Sequence, residues 1–388
     1  MKRIAIFCDG TWNSPTISET TNVHHMYEAC VQDDGQVAIY LEGVGVGEFS
    51  NKIRTFLNKI GGGAFGWGLA RNVKKAYAAL CRVYEEGDEI LIFGFSRGAY
   101  TARSLAGMIR KCGLIPKDDL GVYRLAMAWN LYKKAGKKNH PDSYHIWAKR
   151  QKLSPDVATS TTDLERRAGQ GHLVNIAYLG VWDTVGALGI PEQLLGPIAK
   201  LWNWRYRFHD AELSSLVRTA RHAVALDERR VFYKPALWDN MDDPDGNNKG
   251  RMTANSPWQQ LWFVGSHSIV GGSSPSEKLV AFPLEWILEG ATGLRLRSDF
   301  HIPKEKGDPI FETDELTDPG RIYNIAPSLL AWRDPPQDAG QVHWSVAQRA
   351  QTLADIYRPG TIELVLAALL QQEQPVFTDD IRPAVRQA

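Results

Sequence analysis

No run of eighteen apolar residues occurs in the 388-residue chain, so no segment is expected to cross a bilayer as a helix. The apolar start, residues 4–7, is too short for the hydrophobic stretch of a signal peptide and runs straight into Asp9-Gly10. The expectation is a protein without a signal peptide, cytoplasmic in the producing cell. Charge of one sign is also missing. The 45 Lys and Arg against 44 Asp and Glu leave +1, which gives no global field for nucleic acid or an acidic membrane surface. Cysteine is scarce, and Cys8, Cys30, Cys81 and Cys112 stand in no C-x-x-C or Cys/His metal spacing. Reduced thiols are therefore expected, with no metal and no cofactor. No internal repeat or low-complexity tract is evident either. At 44% hydrophobic and 23% charged residues the chain reads as an ordinary globular protein, one large domain carrying insertions.

What is present centres on residues 88–112, DEILIFGFSRGAYTARSLAGMIRKC. The apolar run 89–93 has the pattern of a strand buried on both faces of a parallel sheet. Gly94-Phe95-Ser96-Arg97-Gly98 follows, a G-x-S-x-G in which a serine sits on a tight strand-to-helix turn with its hydroxyl above the sheet. A bare match of this kind arises by chance in many chains. Here the strand before it and the Ala-rich helix after it supply the context the motif needs, and Ser96 becomes a candidate nucleophile.

Taken in order, residues 3–8 read as a buried strand, 20–29 as a helix, 37–41 as a second strand and 69–84 as a helix. The glycines of 42–47 imitate a dinucleotide loop, but no helix pattern opens at Gly47, so nucleotide binding is not expected. Strand and helix alternate, which implies an α/β fold with a doubly wound, mainly parallel sheet. From 118 to 171 that rhythm stops. This segment, with Lys133, Lys134, Lys137 and Lys138 on a solvated face, reads as a helical cap insertion over the sheet's C-terminal edge, with a mobile turn at 159–162. A fourth strand is expected at 173–181, a second cap insertion at about 187–212, a helix at 212–226, a fifth strand at 261–264 and a helix at 277–289. The rest is rich in proline, with helical patterns only at 346–354 and 361–371. The division expected is a catalytic domain over 1–295 and a loop-rich extension over 296–388 packed on it.

Ser96, Asp183 and His267 fall, in that order, at the ends of three successive expected strands. Acyl transfer needs a hydroxyl, a base that takes its proton and a carboxylate that fixes the imidazole, and serine, acid, histidine is the chain order of α/β-hydrolases. His343 is the competing base, although no periodic pattern anchors it beside the other two. Backbone N–H groups of Arg97, Gly10 and Thr11 are the candidate oxyanion donors.

Seven blocks in order resemble the catalytic-domain signature of the type VI secretion phospholipase effectors: FCDGTWN (7–13), TNV (21–23), YLEGVG (40–45), GFSRGAYTAR (94–103), VWDTVGALG (181–189), RHAVALDER (221–229) and WFVGSHSIVGG (262–272). The resemblance implies an α/β-hydrolase-like fold and a serine lipase or esterase acting on phospholipid acyl esters, with Ser96, Asp183 and His267 as triad. It also implies export by type VI secretion, with secretion-apparatus and immunity proteins as partners. Where the family often carries an aspartate, this chain has Ile269. A soluble carboxylesterase or thioesterase, and a catalytically silent relative, stay open beside it. For substrate contact the candidates are Leu201, Trp202 and Trp204, in a segment whose apolar and aromatic face, flanked by cations, suits a lipid headgroup layer as well as an ordinary cap.

Overall fold

The computed structural model describes residues 1–10, 20–43, 64–186, 212–273, 277–302, 327–353 and 356–371. Among them six strands form one sheet: β1 (Arg3–Cys8), β2 (Gln36–Leu41), β3 (Glu89–Phe95), β6 (Asn175–Trp182), β7 (Val217–Ala225) and β8 (Trp258–Phe263). Two short strands, β4 (Val157–Ala158) and β5 (His172–Leu173), pair separately. The large sheet has the order β2-β1-β3-β6-β7-β8, and every pairing in it is parallel. That is the α/β-hydrolase-like, doubly wound architecture expected.

Period-two alternation explains how each strand serves two faces at once. Ile4 and Ile6 of β1 and Ile90 and Ile92 of β3 join one buried cluster, with Val73, Tyr77 and Leu80 of helix Ala64–Val83 and Ala99, Ala102 and Leu105 of helix Arg97–Cys112. Ala5 and Phe7, Leu91 and Phe93 turn the other way, onto Val23 and Met26 of helix Asn22–Ala29 and Leu284 and Ile287 of helix Glu277–Gly290. Phe7 stacks on Phe93 with centroids 5.0 Å apart. Each large side chain buried in this way contributes about 1.5–3 kcal/mol of transfer free energy, so the two-faced pattern along β1 and β3 sets which strands can be central.

Two expectations are corrected. Residues 212–226 hold no helix: β7 runs through them as an interior strand between β6 and β8. Ala220, Ala223 and Ala225 suit a helix by propensity, but here their small size lets large neighbours close over the strand, and pairing on both edges overrides local preference. The second correction concerns 118–171. This segment packs at the far end of helix Arg97–Cys112, away from the strands' C-terminal ends: Cys112 Sγ donates to Ala128 O, Leu114 N to Ser154 Oγ, and the Arg110 guanidinium grips Asp142. The turn at 159–162 is tied down as well. Thr159 N donates to Asp163, whose carboxylate also pairs with the buried Arg150 and Arg167, and Ser160 caps the short helix Thr161–Arg166.

The C-terminal segment closes on the β7–β8 side. Val342, Val346, Ala350, Tyr357, Ile362 and Leu369 form a third buried cluster with Val224, Trp262 and Ile269. Ile269 is therefore a core residue, 2% exposed. All four cysteines are buried and free, and burial pushes the Cys30, Cys81 and Cys112 thiols up to about 12, which keeps them protonated and unreactive.

Candidate active site

The strand order reverses between β1 and β3, the place where such sheets bind ligands, and side chains from beyond the C-terminal ends of β3, β6 and β8 meet on that edge of the sheet. β3 delivers Ser96 into a turn held at φ +57°, ψ −121°, a region that side chains with a Cβ avoid. Its N–H donates to Trp182 O at 3.0 Å, which pins the turn to β6. Glycine at 94 and 98 is a steric requirement. A Cβ on Gly94 would lie 2.6 Å from Gly98 O, and one on Gly98 would lie 2.1 Å from Cys8 O and 2.4 Å from Asp9 O. The close approach brings the start of helix Arg97–Cys112 against the end of β1.

Three side chains from three strand ends form one hydrogen-bonded line. His267 Nε2 lies 2.8 Å from Ser96 Oγ, and His267 Nδ1 lies 2.5 Å from Asp183 Oδ2. An ionised carboxylate can only accept, so Nδ1 carries the proton and Nε2 is left to accept from the serine hydroxyl. Ser96 and His267 are each 5% exposed and Asp183 is fully buried. Burial alone would raise the Asp183 carboxyl, but the charge and hydrogen bonds of Arg333, together with those of His267, outweigh that and hold it well below the usual carboxylate range. Burial lowers the His267 imidazole, a shift that Asp183 partly offsets. The ring is packed against Phe95 and Tyr233, both with centroids at 4.7 Å.

Asp183 has a positive φ of +35° and is fixed from several sides. Ala225 N donates to its Oδ1 at 2.9 Å, and Arg333 Nη1 and Nη2 donate to Oδ1 and Oδ2 at 2.6 and 2.8 Å. Glu228 accepts from His267 N at 3.2 Å and is itself gripped by Arg230, whose hydrogen bonds and charge overcome burial and lower its carboxyl. Neither Arg333 nor Glu228 was legible as a site residue in the sequence. The acidic pair Asp227-Glu228 after a strand would have been a signal had β7 been recognised. Arg333 stands in a proline-rich stretch that offers no signal at all.

On the opposite side of Ser96, the Arg97 N–H is the first of its helix, where the helix dipole favours negative charge. The Gly10 N–H donates to the Asp9 carboxylate at 2.6 Å, so it points at a side chain of its own turn. Burial raises the Asp9 carboxyl, although hydrogen bonds from Tyr40, Gly10 and Thr21 work against that. Thr11, Leu201, Trp202 and Trp204, and with them most of the expected second cap, lie outside the described residues. His343, the competing base, is buried behind β8, stacked on Phe263 at 4.4 Å with its Nδ1 2.8 Å from Ser345 Oγ. Among the described residues no three His, Cys, Asp or Glu side chains converge as a metal site would require.

The family model described as type VI secretion system phospholipase effector Tle1-like, catalytic domain, matches residues 2–290. The uncharacterized protein YEL023C of Saccharomyces cerevisiae is 28% identical over 249 residues, 62% of this chain. The match covers 33% of that relative, so this chain spans about a third of its length. Among solved structures, an uncharacterized protein from Pseudomonas aeruginosa is similar over 76% of this chain and 46% of its own, at 18% identity and a TM-score of 0.39. The Tle1 effector bound to the VgrG spike of the type 6 secretion system is similar over 71% and 51%, at 16% identity and a TM-score of 0.35.

Proposed function

The chain belongs to the Tle1-like catalytic-domain family of type VI secretion phospholipase effectors, and from that premise we propose that it is a serine hydrolase cleaving the acyl esters of phospholipids. The observation that carries this reading is the unbroken line Ser96 Oγ, His267 Nε2, His267 Nδ1, Asp183 Oδ2, with spacings of 2.8 and 2.5 Å. In the first half-reaction Ser96 Oγ attacks the ester carbonyl while His267 Nε2 takes the hydroxyl proton. Asp183 keeps the imidazole in the tautomer that can accept it and stabilises the imidazolium that forms. The Arg97 N–H stabilises the oxyanion, with the backbone at Thr11 as the second donor, since the Gly10 N–H is committed to the Asp9 carboxylate. His267 then returns its proton to the departing lysophospholipid alcohol; a water, deprotonated by the same nitrogen, attacks the acyl carbonyl, and the bond to Ser96 Oγ breaks as His267 hands that proton to Oγ, releasing the fatty acid and restoring the hydroxyl.

Export by type VI secretion, with a secretion-apparatus protein and an immunity protein as partners, belongs to the same proposal. So does a catalytic domain over 1–295, with the segment of Leu201, Trp202 and Trp204 meeting the lipid surface. The runner-up is a soluble carboxylesterase or thioesterase on the same scaffold, since fold does not fix substrate. The test compares wild type and Ser96→Ala on p-nitrophenyl butyrate and on vesicles of phosphatidylethanolamine and phosphatidylglycerol. Wild type is expected to hydrolyse both, with a higher rate on phospholipid in vesicles than on short-chain phospholipid monomers. Ser96→Ala is expected to keep its thermal transition and lose turnover by roughly a million-fold, the scale seen when a serine protease loses its nucleophile. Turnover of the butyrate ester without phospholipid cleavage would move the assignment to the soluble esterase, and no turnover of either would leave a binding protein.

A further inference from the structure

The Arg333 side chain reaches the site from a part of the chain 150 residues away from Asp183 in sequence, beyond the stretch the family model matches. Both terminal nitrogens end on the one carboxylate, Nη1 on Oδ1 and Nη2 on Oδ2. The same nitrogens donate to Ala225 O and Tyr233 O, each at 2.6 Å, which ties the end of β7 and the Tyr233 segment to the same point. Side-chain exposure is 4% for Arg333 and zero for Asp183. An exposed ion pair would contribute little. This is a planar fork on a planar carboxylate in a dry place, a geometry that fixes orientation and that a lysine cannot reproduce.

We propose that Arg333 is a positioning residue for the serine-hydrolase reaction, holding the Asp183 carboxylate in the one rotation that presents Oδ2 to His267 Nδ1 and so making the C-terminal segment part of the active site. The inference rests on the reading of Ser96, His267 and Asp183 as a triad. Without the guanidinium, Asp183 keeps, among the described residues, only the Ala225 N–H and the imidazole as donors. A carboxyl buried among so few donors favours its neutral form, which no longer stabilises an imidazolium, and its free oxygen can turn. A guanidinium that served only to tie segments together would change stability and leave the rate per folded molecule alone.

The test measures kcat and KM on p-nitrophenyl butyrate, and the rate of Ser96 labelling by a fluorophosphonate probe, which needs no lipid. Wild type, Arg333→Lys and Arg333→Ala are compared, each with its folded fraction taken from its thermal transition. Arg333→Ala is expected to lose about 10- to 1000-fold in kcat and in labelling rate with KM little changed, short of the roughly 10⁴-fold that follows disabling a triad acid. Arg333→Lys is expected to fall between it and wild type. Guanidinium added well below unfolding concentrations is expected to restore part of the Arg333→Ala rate and to leave wild type unchanged. Wild-type labelling by folded Arg333→Ala, or no response to guanidinium, overturns the proposal. If Arg333→Ala does not fold, Arg333→Lys decides: labelling more than about twofold slower than wild type per folded molecule supports the proposal, and labelling within about twofold of the wild-type rate overturns it. Failure of wild type to label at Ser96 would show in the unmodified protein and would remove the triad reading, and this inference with it.

Discussion

In the proposed reaction His267 accepts a proton only while its ring is neutral, so activity is expected to be lost as pH falls through its pKa. Burial lowers that pKa from the ordinary 6.5, while Asp183 and Glu228 pull it up and Arg230 pulls it down. Burial is the largest of these influences, so the acid limb of kcat/KM on a soluble ester is expected to have its midpoint below 6.5. A midpoint at or above that value would mean that the charged neighbours outweigh the dry site. At this scale the sequence was informative about chemistry and silent about support. Ser96 was legible because its strained turn needs glycines at fixed offsets, which local sequence records. His267 and Asp183 were legible because each follows an apolar run that reads as a strand. Ile269 fills the third core cluster beside Val224 and Trp262.

The turn between β3 and helix Arg97–Cys112 depends on the absence of one atom. A Cβ at position 98 would meet two carbonyl oxygens of the β1 backbone, Cys8 O and Asp9 O, neither the end of a flexible side chain. Overpacking a core usually costs about 1–3 kcal/mol, and with rigid backbone as the obstacle Gly98→Ala is expected at the upper end, about 3 kcal/mol. Urea unfolding of Gly98→Ala against wild type measures this, and its rate of fluorophosphonate labelling should fall together with its stability. A variant as stable as wild type would show that the helix can shift away from β1 without loss. Elements with strong periodic patterns, β1, β3 and the helix Glu277–Gly290, were readable because the pattern that specifies them is local. β7 was not, because an alanine-rich segment becomes a strand only when β6 and β8 offer edges on both sides.

Stability of the whole molecule carries a pH signature to which buried groups away from Ser96 contribute. His222 and His343 are buried neutral, and burial lowers both from 6.5 to about 3. Between those values the unfolded chain binds two protons that the native state refuses, so stability falls as pH drops through that window. Asp227 works the other way. Burial raises it from 3.8 to about 6, so between those values the native state holds one proton more than the unfolded chain. For these three groups, two protons against one leave a combined slope of about 1.4 kcal/mol per pH unit between pH 6 and 4, with stability lower on the acid side; buried His267, also lowered, adds in the same sense, and buried Asp9, raised, opposes it. Urea midpoints are expected to be lower at pH 5 than at pH 7. His343→Asn keeps a helix-capping side chain before Trp344–Thr352 and removes one of the two histidines, and its midpoint should change less over the same interval. Equal pH dependence in wild type and variant would rule out His343 as a source.

By itself the sequence determined the α/β class, the strand-turn-helix around Ser96 and the order in which serine, acid and histidine reach the strand ends. Each of these follows from spacing within a few residues: alternation that buries both faces of a strand, glycines where Cβ atoms do not fit, small residues where a helix lies close. Only the tertiary structure decided that Val217–Ala225, inside the expected helix 212–226, is an interior strand, that 118–171 packs at the end of the molecule away from Ser96, and that Arg333 closes on Asp183. These depend on partners far apart in the chain. A lone arginine or a run of alanines acquires its role from surfaces that exist only once the sheet has been assembled.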